Sequence, residues 1–310
     1  VYWALVWLNV PDRAAGPLAL VALAASPAVL TRVVTDMRAA GPVTDRSIVL
    51  ATLSTLYALT LGSAQAELIN RPNTGFTDTI YPVMVVLGVS IIVGAVLALA
   101  LRMALRFMSP TSENTSILLL ALIAAATAVA AFMGGSAPLA ALLGGMLLKQ
   151  LNPRHWAWPR QLGTASSLLT MLMFVLVSTV AAQADWSGPV AGVVLALIAV
   201  RLVAKAVGVG LGNIGSGASW RQALWVSCAM TPMSAIALLI ASQFVVSSAS
   251  TGHLIARVAL PTILLMEVLG AVIATVAIYR AGESSKPWAP LTRAGRNPSS
   301  TSNTGDSPRE

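Results

Sequence analysis

The sequence predicts an all-α, polytopic membrane protein, and three observations carry that prediction. Only 10% of the 310 residues are charged and 56% are apolar, whereas a soluble domain carries about a quarter charged residues. The apolar residues fall in uncharged windows of the length that a bilayer crossing needs, roughly 20 residues in a helix. The positive charges stand singly between those windows. A nucleic-acid face needs clustered Lys and Arg, so the net charge of +8 points to no nucleic-acid partner. The expected surroundings are a lipid bilayer, and a water-soluble enzyme is excluded.

The elements follow in order. Val1–Leu8 is apolar but short, and it runs into Asn9-Val10-Pro11-Asp12. It lacks the basic start and cleavage pattern of a signal peptide. It reads as the tail of a helix that begins upstream, in a chain that is a fragment or starts at an unusual codon. The uncharged windows Ala14–Thr31, Ser47–Ala66 and Thr79–Leu101 predict helices near 14–34, 47–66 and 79–101. The window Ser116–Leu148 has 33 residues, too many for one crossing, and contains Gly134-Gly135-Ser136 and Pro138. That breaker cluster divides it into helices near 116–133 and 136–148. Gln161–Ala184 predicts a helix near 161–184. Trp186–Val200 is too short alone, so its helix extends over 187–211 and takes Arg201 and Lys205 with it. Helices near 220–244 and 254–279 complete about 9–10. The membrane domain is therefore 1–283. From Glu283 onward the chain turns to Ser, Pro, Thr, Asn and Gly, a composition that cannot bury a core, so 284–310 is expected to be a disordered tail.

Charge orients the spans. One set of alternate loops holds Arg32, Arg38, Arg46, Arg102, Arg106, Lys149, Arg154, Arg160, Arg221, Arg280 and the basic tail, 14 of the 19 positive charges. The other set holds Arg13, Arg71 and Arg257. Positive residues favour the cytoplasmic side, which places the C-terminus there. The alternation holds only if the 33-residue window is split. The expected location is a bacterial cytoplasmic (inner) membrane.

Few residues offer chemistry. Cys228 is alone, and His155 and His253 have no partners at metal-ligand spacing, so neither a metal centre nor any cofactor is expected. Arg201, Lys205 and Glu267 are the ionisable groups inside spans. Charges at that depth are costly and face a cavity or a partner, although a long basic side chain near a helix end can also snorkel to the interface. Ser26-Pro27 and Thr231-Pro232-Met233-Ser234 interrupt two spans. Proline removes a backbone donor and clashes with the preceding turn, and discontinuous helices in two halves mark a transporter's binding site. Gly210-Leu-Gly212-Asn-Ile-Gly215 matches a dinucleotide pattern, but it ends a membrane helix and has no acid about 20 residues on. With Gly208 and Gly217 it is expected to form a flexible connector. Gly134-Gly135 and Gly144-Gly145 are expected to allow close helix packing.

The order of these segments resembles the monovalent cation:proton antiporter family (sodium/hydrogen exchanger domain). Ala24-Ala25-Ser26-Pro27-Ala28-Val29 resembles its unwound T-S-P-A-V helix. Gly135-Ser136-x-x-Leu139-x-Ala141-x-x-x-Gly145 resembles its G-S-x-x-L-x-A-x-x-x-G helix. Trp220-Arg221-Gln222-Ala223-Leu224 through Pro232 is similar to its second broken helix, and Glu267-Val-Leu-Gly270 with Ala277-Ile-Tyr-Arg-Ala-Gly282-Glu283 to its last helix and exit. The resemblance covers about residues 14–283. It implies an inverted-repeat helix bundle with two broken, crossing helices beside a dimerisation domain, in a homodimer, with the family's first helices absent from this chain. It also implies monovalent cations and protons as substrates.

Carried over residue by residue, the resemblance implies an ion pathway of Ser26, Pro27, Ser54, Thr55, Arg201, Lys205, Thr231, Pro232, Ser234 and Glu267. Lys205, before Arg201, matches the basic residue that pairs with the transport carboxylate. The main departure is Leu53-Ser54-Thr55-Leu56, where members carry Asn-Asp or Asp-Asp. A carboxylate takes either a proton or a cation because its pKa is tunable. Hydroxyls ligate Na⁺ weakly, so the transported cation is expected near Ser54 and Thr55 with proton coupling on Lys205 or Glu267. The expected function is exchange of Na⁺ or K⁺ for H⁺ by alternating access, not enzymatic catalysis. The alternatives are a transport-inactive paralogue acting as a regulator or sensor, and an organic-anion carrier with the same broken helices.

Overall fold

The computed structural model describes residues 1–68, 76–108, 112–152, 160–182, 188–233, 235–247 and 251–285. The expected disordered tail, from residue 286, and Ser234 lie outside the described residues. Among those described, the structure has twelve helical segments and no strand. They are α1 (Tyr2–Trp7), α2 (Asp12–Leu23), α3 (Pro27–Met37), α4 (Pro42–Leu68), α5 (Phe76–Phe107), α6 (Glu113–Phe132), α7 (Ala137–Leu151), α8 (Arg160–Ala182), α9 (Gly188–Asn213), α10 (Trp220–Ala229), α11 (Ala235–Ser247) and α12 (Gly252–Arg280). Six described stretches are long and apolar enough to cross a membrane, with α2 and α3 together forming one of them. The chain is a polytopic helical membrane protein.

The helices outrun their apolar windows. α4 starts at Pro42 rather than Ser47, and α5 continues to Phe107 past Arg102 and Arg106. Charge ends the membrane-facing pattern but not the backbone ladder, because Arg is a good helix former. The 33-residue apolar run is divided. Gly134 takes a left-handed φ of 78°, and the Gly135 N–H closes α6 by donating to the Ala130 carbonyl at 2.8 Å. The glycine-rich connector needs correction. Gly208, Gly210 and Gly212 are inside α9, and only the short stretch after Asn213 turns, through Gly215 and Gly217 at φ 85° and 73°. The Asn213 side chain secures that turn by donating to the Ala218 carbonyl at 3.0 Å.

Small residues recur in the interior beside buried Leu, Ile, Met and Phe244 side chains, and large apolar residues also cover the outside. Ala14, Ala15, Ala22, Ala25, Ala58, Ala140, Ala229, Ala237, Ala259 and Ala274 are buried. Ile92, Val96, Met103, Phe132 and Leu195 are exposed. Lipid is as apolar as Leu, so helices associate through close packing rather than hydrophobic burial. The tightest seam joins α5 and α7. A Cβ on Gly94 would lie 2.9 Å from the Ala140 carbonyl oxygen, and one on Gly144 would lie 3.1 Å from the Gly94 carbonyl oxygen. Gly145, by contrast, faces open space and contributes nothing to this packing.

Candidate ion pathway at a helix crossing

Two of the helices are broken at mid-length. α2 stops at Leu23 and α3 restarts at Pro27; α10 stops at Ala229 and α11 restarts at Ala235. Proline begins α3 at its first position, where its missing N–H costs nothing. Ser26 caps that helix by accepting from the Val29 N–H at 3.2 Å. The breaks meet. The Ser26 N–H donates to the Pro232 carbonyl at 3.0 Å, so Ser26, Pro27, Thr231 and Pro232 are brought to one place.

A helix C-terminus leaves its last carbonyls without partners, and at membrane depth no water supplies them. Here four successive carbonyls of the first break each find a side-chain donor. Arg201 Nε donates to Ala22 at 2.9 Å and its Nη2 to Ala24 at 2.9 Å. The Ser54 hydroxyl donates to Leu23 at 2.6 Å, and the Thr55 hydroxyl to Ala25 at 2.8 Å. Arg201 also reaches the second break, where Nη1 donates to the Thr231 carbonyl at 2.6 Å. The hydroxyl of Thr231 lies 2.8 Å from the Cys228 carbonyl and 3.3 Å from the Gly270 carbonyl of α12, and its one proton is shared between them. α12 passes so close at this point that a Cβ on Gly270 would lie 2.6 Å from Pro232 Cα.

Arg201 is 1% exposed, and it donates to three carbonyls. Its charge is balanced by dipoles. Each helix C-terminus carries roughly half a negative charge, and Arg201 bonds to the C-terminal ends of both α2 and α10. Two such ends make up about one charge, opposite to the guanidinium.

The structure thus separates residues that the sequence placed together. Arg201, rather than Lys205, holds the breaks. Lys205 is one turn further along α9, half-buried, with no hydrogen bond or ion pair among the described residues. Glu267 is half-buried on α12, one turn before Gly270. Ser54 and Thr55 are at the crossing, where the Ser54 hydroxyl donates to Leu23 and the one Thr55 hydroxyl proton is shared between the carbonyls of Ala25 and, on its own helix, Ala51 at 2.9 Å. The Gly270 contact with Thr231 and Pro232 was not among the expected site features; its only signal in the sequence was a glycine one turn after a membrane acid.

Two cavities lie on either side of the crossing along α4. One, of about 310 Å³, opens where the start of α4 meets the end of α9 and α10, and is lined by Arg46, Gly212, Asn213, Ser216 and Met230. This is the basic end of the bundle. The other, of about 410 Å³, lies toward the opposite end and is lined by Ser63, Gly134, Gly135, Ser242, Gln243 and Ser247. Along α4, Arg46 and Ser63 lie eight and nine residues from Ser54 on opposite sides, roughly 13 Å each way at 1.5 Å per residue.

Two broken helices crossing inside an apolar bundle, with cavities from both ends, define the class: a membrane transporter of the discontinuous-helix kind. The family profile described as "Sodium/hydrogen exchanger, transmembrane" matches residues 1–280, and the chain belongs to that family. No curated protein matches the sequence. The family consists of exchangers that carry cations and protons through membranes, not enzymes.

Proposed function

We propose that the protein is a secondary active transporter that exchanges Na⁺ or K⁺ for H⁺ by alternating access, as a homodimer in a bacterial cytoplasmic membrane with its C-terminus in the cytoplasm. The observation that carries this reading is the crossing itself, where Ser26 bonds Pro232 and Arg201 spans both breaks. The two cavities support access from either side. The membrane domain is residues 1–283, and the ion path runs past Ser26, Ser54, Thr55, Thr231 and Ser234. With no acid at Ser54 or Thr55, proton coupling falls to Glu267 and Lys205, which lie one turn from Gly270 and Arg201 on α12 and α9.

The test is cation-driven proton flux in proteoliposomes, with Lys205→Ala and Glu267→Gln beside the wild type. The expected result is dissipation of a pH gradient by Na⁺ or K⁺, and loss of that coupling in at least one variant. Wild-type coupling in both variants assigns the proton elsewhere. A second reading is favoured by Ser54 and Thr55 themselves, which put hydroxyls bonded to backbone carbonyls where a carboxylate would take the cation: a transport-inactive paralogue that regulates or senses. It requires no flux with any cation and a partner that co-purifies.

A further inference from the structure

The chain leaving α12 does not simply exit. Gly282 turns it at φ 78°, and residues 283–285 lie across the turn between α3 and α4. The Ala40 N–H donates to the Glu283 carbonyl at 3.1 Å. The hydroxyls of Ser284 and Ser285 donate to the carbonyls of Met37 and Arg38 at 3.3 and 3.0 Å. The Glu283 side chain goes further. Its Oε1 accepts from the Val43 N–H and its Oε2 from the Thr44 N–H, each at 2.7 Å.

Those two N–H groups are the unsatisfied donors of the first turn of α4. Pro42 begins the helix and has no N–H to offer. Gly41 stands before it, in the place where a Ser, Thr, Asp or Asn ordinarily caps, and it has no side chain. A Cβ on Gly41 would lie 2.4 Å from Glu283 Cδ, so the space that a local cap would fill is taken by Glu283. α4 is therefore capped from 240 residues away, by a carboxylate that both hydrogen bonds and the helix dipole favour.

The capped helix carries Ser54 and Thr55. α12, the helix that delivers the cap, carries Gly270 against Thr231 and Pro232. The crossing and the Glu283 strap therefore fasten the same parts of the molecule at two heights, mid-bundle and basic end. From Val43 to Ser54 is 11 residues, roughly 16 Å of one helix, and a rigid rod displaced at its end is displaced along its length.

We propose that Glu283 is a positioning residue for exchange. By capping α4 it sets the axial placement of Ser54 and Thr55 against the Leu23 and Ala25 carbonyls, and so the geometry of the first break. This rests on the reading of the crossing as the ion path.

The experiment compares wild type, Glu283→Ala, Glu283→Gln and Gly41→Ala in detergent and in proteoliposomes. Gly41→Ala crowds out the carboxylate but also strains the turn at φ 158°, so it is read beside Glu283→Gln, which serves if Glu283→Ala folds poorly. Glu283→Gln keeps one acceptor oxygen and is expected to fall between the alanine variant and wild type. Hydrogen exchange is read on peptides covering 40–45 and 22–26. The expected result is faster exchange in both regions for Glu283→Ala and Gly41→Ala, with the half-saturating cation concentration raised three- to tenfold. Faster exchange confined to 40–45 overturns the proposal, as does an unchanged half-saturation. If the wild type carries no flux, the transport reading fails while the exchange in 22–26 still decides whether Glu283 positions the break.

Discussion

Replacing Arg201 tests what holds the crossing together. Arg201→Met keeps most of the volume and removes three donors, which leaves the Ala22, Ala24 and Thr231 carbonyls buried without them. An unsatisfied buried acceptor costs about 1–3 kcal/mol, so three give roughly 3–9 kcal/mol. Hydrogen bonds inside membrane bundles measure about 0.6 kcal/mol on average, which sets a floor near 2 kcal/mol. Losing the guanidinium also strips two helix C-termini of their counter-charge, pushing the value above that floor. In a chain of this size 2 kcal/mol corresponds to a fall of about 3 °C in melting temperature. Arg201→Lys restores the charge, but a single ammonium on a shorter, flexible stem does not reproduce the fork, and its loss should be about half that of Arg201→Met. The assay is thermal unfolding of the purified protein in mild detergent, followed by tryptophan fluorescence. A melting temperature for Arg201→Met within about 1 °C of wild type would refute the claim that these bonds hold the breaks.

Three further outcomes follow from contacts around the same point. Gly270→Ala drives a methyl to 2.6 Å from Pro232 Cα and should abolish monodisperse protein on size exclusion, whereas Gly145→Ala, facing open space, should be neutral. Thr231→Val removes the hydroxyl that bonds Gly270 and Cys228 and should cost about 1 kcal/mol, read as a lower midpoint in denaturant. Ser54→Asp puts a carboxylate where the Ser54 hydroxyl now meets the Leu23 carbonyl. Cation-dependent proton flux should rise, with activity increasing as pH climbs through that group's titration, because only the ionised form competes for cations. Flux equal to wild type at every pH would show that an acid at residue 54 does not restore exchange.

Much of this was legible in the chain, for identifiable reasons. Span order and the split at Gly134 could be read because hydropathy and breakers act locally. The two breaks could be read only in part. Pro17, Pro82 and Pro261 also lie within helices and do not break them. What distinguishes Pro27 and Pro232 is not local: a guanidinium from α9 and two hydroxyls from α4 donate to the freed carbonyls. The same non-locality hid the difference between Arg201 and Lys205. Their spacing of four puts both on one face of α9, and the period says nothing about which turn of that helix meets the breaks. Glu283 marked the point where composition changes and read as the edge of a tail. Its partners, Val43 and Thr44, are backbone donors, which leave no pattern in a sequence.

The seam between α5 and α7 has a mechanical consequence. At Gly94 and Gly144 the two backbones touch, with no side chain between them to flex. Helices in such contact cannot slip lengthwise without first lifting apart. They form a keel. Two turns away, Val86 of the same helix shares with Ser63 and Gln243 the walls of the 410 Å³ cavity. Slack beside this keel therefore lies toward α4 and α11, where a shift of either helix can be taken up.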